Sequence, residues 1–163
     1  MMIRYMEETD DRMAIGRIYR ESWKYAYQGI IPQNYLESIS AGQWVEHLEE
    51  KERHTLLMIE NHTFIGTSSY SASRYKKLDG FGEIVSIYLL PEYMGKGYGK
   101  QLLAAAVDGL AQLGYRDIFL WVLEENRRAR KFYENAGFLC SGDYLLDYIG
   151  GKELREVQYC RHI

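Results

Sequence analysis

The sequence predicts an α/β domain built on a mixed β-sheet. Apolar residues recur every three or four positions near the start and in the middle of the chain, a pattern typical of amphipathic helices. Short apolar runs bounded by turn residues lie between these helical segments and are typical of β-strands. The chain of 163 residues has no internal repeat and no linker-like segment, so we expect residues 1–163 to form a single domain.

The first quarter of the chain is expected to be helical. Asp10 or Asp11 is suited to cap a first helix, whose apolar stripe runs through residues 14–23. Pro32 is suited to open a short second helix because its fixed φ angle fits the first helical turn. A third helical segment is expected around Trp44.

Strands begin after these helices. Residues 55–59 and 63–70 are rich in apolar and β-branched side chains and flank Asn61 and His62, which are typical turn residues. We therefore expect an antiparallel hairpin here. A third apolar strand is expected over residues 84–90.

A strand–helix–strand unit and a final hairpin are expected in the rest of the chain. The helix covers residues 97–113 and leads to residues 118–123, which are apolar at every position and fit a strand buried on both faces. Two strands joined through a helix are parallel, with a right-handed crossover. A further helix is expected over residues 126–135, followed by two strands around Gly150.

Composition and charge exclude several classes of protein. The 20 basic and 23 acidic residues give a net charge of −3, so the chain has no general electrostatic attraction to nucleic acid. No apolar run is long enough to span a membrane, and the acidic start does not resemble a signal peptide. Cys140 and Cys160 are too few for a disulfide framework, and we expect Cys140 in the core. A cytoplasmic location fits these features.

A glycine-rich turn is the segment most suited to chemistry. Gly95, Gly97 and Gly99 alternate directly after a predicted strand and before a predicted helix. Glycine permits positive φ angles and a close approach of ligand to backbone, and a helix N-terminus attracts anions. Lys96 and Lys100 add positive charge, so a phosphate site is one interpretation and a solvated helix start is the other.

Two common phosphate motifs do not fit this turn. A P-loop requires Ser or Thr after its lysine, but Gln101 follows Lys100, and Met94 stands where the first glycine should be. A dinucleotide fingerprint requires a third glycine where this chain has Leu102.

The turn instead resembles the Arg/Gln-x-x-Gly-x-Gly/Ala motif of the GNAT superfamily of N-acetyltransferases. Gly97 and Gly99 occupy its glycine positions, and Met94 replaces the usual Arg or Gln. Residues 132–138, FYENAGF, are similar to the F-Y-x-x-x-G-F signature of that family. The resemblance covers residues 83–138. It implies the GNAT fold, with a mixed, mostly antiparallel sheet, a central parallel βαβ pair and helices on both faces.

The resemblance also implies that acetyl-CoA is the co-substrate. Its diphosphate would lie on the backbone amides of the glycine-rich turn, and its pantetheine arm would run along the end of the strand before it. The amide near Leu89 would polarise the thioester carbonyl. Asn126 would contact the coenzyme, cap a helix, or do both. The implied coenzyme-binding residues are Ile87, Tyr88, Leu89, Met94, Gly95, Lys96, Gly97, Tyr98, Gly99, Lys100, Asn126 and Tyr133.

Two residues are candidates for acid–base catalysis. Tyr133 matches the family tyrosine that protonates the departing thiolate, with a core aromatic as the alternative. Glu83 matches the place of a glutamate that deprotonates the amine, with a charged strand end paired to a neighbour as the alternative. The four histidines show no metal-binding spacing, so no metal is expected.

The acceptor is less well defined by the sequence. Residues 1–60 contain seven basic and eleven acidic side chains, which favours a small cationic amine as first choice, with a protein amine second. Dimers are common in the family, so a homodimer is also considered. A rival interpretation is a non-catalytic module that binds or senses acyl-CoA. Four aromatic residues fit either the core or the acceptor pocket: Trp23, Tyr25, Tyr27 and Tyr35.

Overall fold

The computed structural model describes all residues, 1–163, and its elements follow the predicted order with one strand added. Seven strands form one sheet in the order β1-β2-β3-β4-β5-β7-β6. The strands are β1 (Met2–Tyr5), β2 (His54–Glu60), β3 (Thr63–Ala72), β4 (Gly82–Leu89), β5 (Asp117–Leu123), β6 (Leu139–Ile149) and β7 (Lys152–His162). The helices are α1 (Arg12–Ala26), α2 (Gln33–Ser38), α3 (Val45–Leu48), α4 (Tyr98–Gln112) and α5 (Arg127–Asn135).

Strand β1 is absent from the sequence prediction. It contains only four residues and pairs antiparallel with β2. Arg4 donates two hydrogen bonds, of 2.6 and 2.8 Å, to the carboxylate of Asp10. Asp10 is therefore occupied, and Asp11 caps α1 by accepting from the N–H groups of Met13 and Ala14.

The central strands β4 and β5 form the only parallel pair of the sheet, as predicted. Their pairing is limited to Gly82 with Ile118 and Glu83 with Phe119. Val85 is an extra residue of β4 opposite β3, a bulge that bends the strand. Beyond Phe119 the two strands separate, which leaves a gap in the middle of the sheet.

Helices cover both faces of the sheet. On one face, apolar residues of α4 and α5 pack with alternate strand residues, including Leu56 and Met58 of β2. On the other face, Leu57 packs with Ile15 and Tyr19 of α1. This alternation is what the two-residue period of a strand dictates.

Strand β6 is the exposed edge of the sheet. The expectation that Cys140 lies in the core is wrong: it lies on β6, which pairs on one side only, and is exposed. Phe138, two residues earlier, is fully buried. No helix of the chain is long and apolar enough to cross a bilayer.

Candidate active site

A cleft of about 910 Å³ opens where β4 and β5 separate. Most of the predicted site residues line it, from β4, the glycine-rich turn and α5. Those residues are Glu83, Ile87, Tyr88, Leu89, Met94, Gly95, Gly97, Gly99, Lys100, Asn126 and Tyr133.

The glycine-rich turn presents a row of free amides to this cleft. Gly95 and Gly97 have φ angles of 75° and 85°, and Gly97 is the N-cap of α4. None of the six N–H groups from Gly95 to Lys100 donates to a group of the chain. A Cβ atom at Gly95 or Gly97 would meet nothing within 4 Å, so the space above the turn is open. Successive free amides at a helix N-terminus form an anion site.

The side chains of two residues predicted to bind the coenzyme contact other parts of the chain. The Lys96 ammonium lies over the Tyr93 ring, 5.4 Å from its centroid. The Tyr98 hydroxyl donates a 2.6 Å hydrogen bond to Glu60 of β2. Neither side chain lines the cleft.

Helix α5 adds positive charge close to the turn. Arg128 and Lys131 line the cleft together with Lys100. The Asn126 side chain accepts from the N–H of Ala129 at 3.2 Å and so caps α5, in agreement with the capping alternative. Three basic residues thus line the same cleft as the free amides.

Leu89 directs its N–H group toward the gap between the central strands. Leu90 donates to the carbonyl oxygen of Ile65 in β3 at 2.8 Å. Because successive residues of a strand direct their N–H groups to opposite sides, that of Leu89 faces the cleft.

Tyr133 lies beside the same gap. Its side chain is 8% exposed and packs against Phe132 and Phe138. Burial, and to a lesser degree the nearby Tyr88, raises the pKa of the Tyr133 hydroxyl above its ordinary value. The hydroxyl makes no hydrogen bond within the chain and stays protonated at neutral pH, as a proton donor must.

Glu83 is held in a buried ion pair. Its carboxylate is 1% exposed and accepts hydrogen bonds of 2.7 and 3.1 Å from the Arg74 guanidinium. The backbone N–H of Arg74 also donates to this carboxylate, at 3.1 Å. This geometry agrees with the alternative of a strand end paired to a neighbour, and it places the carboxylate at the wall of the cleft.

An aromatic chamber occupies the part of the cleft nearest α1. We define it by Trp23, Tyr27, Tyr75, Trp121 and Glu156, all of which line the cleft. The buried indole N–H groups of both tryptophans make no hydrogen bond within the chain. The sequence predicted Trp23 and Tyr27 in the acceptor pocket or the core. It did not single out the other three residues, which are Tyr75, Trp121 and Glu156.

The remaining predicted aromatics lie elsewhere or at the rim. Tyr25 lines the cleft but is half exposed, and its ring lies beneath Arg128. Tyr35 packs against the cluster around Leu36, outside the cleft. The sequence did not single out Glu156, because it is one polar residue in a strand where polar and apolar residues alternate.

Comparison with known proteins places this site in a family. The model of the Acetyltransferase (GNAT) family matches residues 13–138. An uncharacterized N-acetyltransferase of Bacillus subtilis is 29% identical over 121 residues, which cover 73% of this chain and 70% of the relative. The spermidine N(1)-acetyltransferase of Thermoplasma acidophilum is 28% identical over 138 residues, covering 79% of this chain and 83% of the relative.

Solved structures share the fold. A Thermoplasma acidophilum N-acetyltransferase in complex with coenzyme A superposes with a TM-score of 0.69 and 22% identity, over the whole of both chains. An acetyltransferase of Salmonella typhimurium, solved with acetyl-CoA, gives a TM-score of 0.75 and 19% identity, covering 99% of this chain and 93% of the other.

Proposed function

The chain belongs to the Acetyltransferase (GNAT) family, and on that premise we propose that it transfers an acetyl group from acetyl-CoA to a small cationic amine. The amine attacks the thioester directly while both substrates are bound. No covalent intermediate on the protein is needed, because the thioester is already an activated acyl donor.

The observation that carries the proposal is the row of six free amides from Gly95 to Lys100. This row suits a diphosphate, and Lys100, Arg128 and Lys131 supply the charge that complements it. The gap between β4 and β5 leads from this turn along residues 87–89, where a pantetheine arm can pair with free backbone groups.

The proposed acid and oxyanion donor lie at the same gap. The N–H of Leu89 polarises the thioester carbonyl and stabilises the negative charge that develops on its oxygen. The Tyr133 hydroxyl, which lines the cleft and makes no hydrogen bond within the chain, gives its proton to the departing thiolate.

Glu83 remains the proposed proton acceptor, although Arg74 holds its carboxylate. Amines are mostly protonated at neutral pH, so a base is needed before attack. The Arg74 side chain is 48% exposed and can release one carboxylate oxygen when an acceptor enters. The proposal for Glu83 therefore requires that the ion pair opens during turnover.

The charge of the cleft supports a cationic acceptor. Among the lining residues only Glu83 and Glu156 are acidic, and Arg74 neutralises the first. Glu156 is the one acidic lining residue that remains without a partner. The relative named for spermidine acetylation is consistent with an acceptor of this class.

A thiol-release assay with acetyl-CoA and a panel of amines tests the proposal. The panel contains polyamines, aminoglycosides, amino acids and a peptide with a free N-terminus. We expect CoA release with the cationic small amines, and an increase in product mass by one acetyl group. Tight CoA binding with no release across the panel would instead favour the rival acyl-CoA sensor, for which Met94 in the phosphate motif is the supporting feature.

A further inference from the structure

Glu156 is a carboxylate without a partner in the wall of the cleft. It lies on β7 opposite Leu123 of β5, and its side chain is partly buried. It forms no salt bridge and no hydrogen bond with another side chain, whereas Glu83, the other acidic lining residue, is paired with Arg74. Glu156 has no part in the proposed proton transfers or in the attack on the thioester.

The surroundings of Glu156 make its negative charge costly. Burial raises the pKa of the Glu156 carboxyl, and the charge of Asp147 on β6 raises it further, while Arg74 acts in the opposite direction. A carboxylate in such a position is stabilised when a cation comes close to it. Arg74 does not fill this role, because its guanidinium is bound to Glu83.

Aromatic rings form the walls beside this carboxylate. Tyr75 packs edge-on against Trp121 with ring centroids 5.5 Å apart, and Trp23 packs edge-on against Tyr27 at 4.9 Å. Glu156 lies opposite Leu123, and Trp23 and Tyr27 pack against the cluster that contains Leu123. Trp121 lies opposite Gln158, two residues along β7 from Glu156, so alternation of strand side chains places Glu156 and Trp121 on the same face. Rings around a cation add cation–π attraction and keep water from the ion pair.

From this arrangement, and resting on the proposed function, we infer that Glu156 and the rings of the aromatic chamber bind a cationic group of the acceptor other than the nitrogen that is acetylated. The reacting nitrogen must lose its proton before it attacks, and a firm ion pair would oppose that loss. A second ammonium has no such conflict. The acceptor class is therefore diamines and polyamines, with one amine at the thioester and another at Glu156.

The test compares two amines of matched length, 1,4-diaminobutane and n-butylamine. Glu156→Gln removes the charge and keeps the shape, and Glu153→Gln is the matched control, since Glu153 is an exposed residue of the same strand outside the cleft. We expect the wild type to prefer the diamine. Glu156→Gln should raise the KM for the diamine about tenfold and change that for butylamine by less than about twofold. The control should behave as wild type.

Two results would overturn the inference: an unchanged preference for the diamine in Glu156→Gln, or an equal loss for both amines. If the wild type acetylates neither amine, the proposed function is at fault rather than the subsite. Calorimetric titration of 1,4-diaminobutane into the CoA-loaded protein then decides the inference without turnover. Binding about tenfold weaker in Glu156→Gln supports it, and equal binding contradicts it.

Discussion

At the scale of single residues, the proposed mechanism depends most directly on the Tyr133 hydroxyl. Tyr133→Phe keeps the ring that packs against Phe138 and removes only the proton donor. We expect kcat to fall about a hundredfold, as for loss of a general acid, and the KM for acetyl-CoA to change less than about twofold. Steady-state kinetics measure both.

Tyr159→Phe is the matched control for this prediction. Tyr159 is a fully buried neighbour, 6.5 Å from Tyr133 between ring centroids, and its hydroxyl bonds Arg130 and Glu134 outside the cleft. It should lose stability and keep kcat. Equal kcat values for Tyr133→Phe and wild type would remove Tyr133 from the mechanism.

Substitutions in the Arg74–Glu83 pair distinguish a structural role of Glu83 from a catalytic one. Arg74→Ala leaves a buried carboxylate without its partner, and we expect a loss of about 2 kcal/mol in the free energy of unfolding, reduced because Arg74 is half exposed. Arg74→Ala combined with Glu83→Gln should recover most of this loss. Urea denaturation at neutral pH measures both effects.

The kinetics of the single variant Glu83→Gln test whether Glu83 accepts the proton. If Glu83 accepts the proton, a folded Glu83→Gln enzyme should show a kcat about a hundredfold lower than wild type. A kcat close to that of wild type would leave Glu83 with its ion pair and no part in the reaction.

We expect substitution of Glu156 to stabilise the folded protein in a pH-dependent way. Its pKa is raised in the folded protein, so the folded state binds more protons than the unfolded state between the ordinary and the raised pKa. Wild-type stability should fall as pH rises through that window. Glu156→Gln should therefore have the higher Tm at about pH 8, and the difference should vanish at about pH 3, where the carboxyl is protonated in both states.

The exposed Glu153→Gln control should show no such gain at either pH. A Glu156→Gln variant less stable than wild type at about pH 8 would mean that the carboxylate has a partner within the chain.

At the scale of elements, the proposed binding of coenzyme depends on the glycine-rich turn before α4. Gly97 begins α4 with a φ angle of 85°, and Gly114 follows its other end with a φ angle of 94°. Alanine meets no neighbouring atom at either position, so both substitutions carry the same backbone strain of about 1 kcal/mol. Only Gly97 adjoins the free amides.

We therefore expect Gly97→Ala to weaken CoA binding at least about tenfold, since the side chain covers amides that would hold the diphosphate. Gly114→Ala should lose similar stability and keep wild-type affinity. Calorimetric titration with CoA compares them. Equal affinities in the two variants would place the diphosphate elsewhere.

The elements also show what the sequence could predict. The spacing of apolar residues and the positions of turn residues predicted α1, the β2–β3 hairpin, the βαβ unit and the final hairpin, because each has a strong local pattern. Strand β1 was missed since four half-exposed residues carry no period, and its position depends on pairing with β2. The exposure of Cys140 was missed because it depends on β6 being the edge strand.

The candidate site divides in the same way. The glycine-rich turn and Tyr133 were found because they belong to short motifs with fixed spacing. Arg74 and Glu156 come from different strands or connections, and only the tertiary fold brings them to the cleft. Residues that shape an acceptor pocket thus escape sequence reasoning, whereas a backbone motif does not.

At the scale of the whole molecule, the exposed edge strand β6 is where a symmetric contact would bury apolar surface. Tyr144, Leu146 and Tyr148 alternate along one face of β6 and are 51%, 56% and 69% exposed. The homodimer remains a prediction of the family resemblance. Light scattering should give twice the monomer mass for wild type and the monomer mass for Leu146→Asp. A wild-type monomer at micromolar concentration would contradict it.

At this scale a single cleft holds the free amides, three basic residues that line it (Lys100, Arg128 and Lys131) and the unpaired carboxylate of Glu156. A crystal structure with bound CoA tests this account most directly. We predict the diphosphate within hydrogen-bond distance of the amides of residues 95–100, the pantetheine arm between β4 and β5, and the sulfur beside the Tyr133 hydroxyl. A diphosphate bound away from this turn, or a gap that stays closed to the pantetheine arm, would contradict the account.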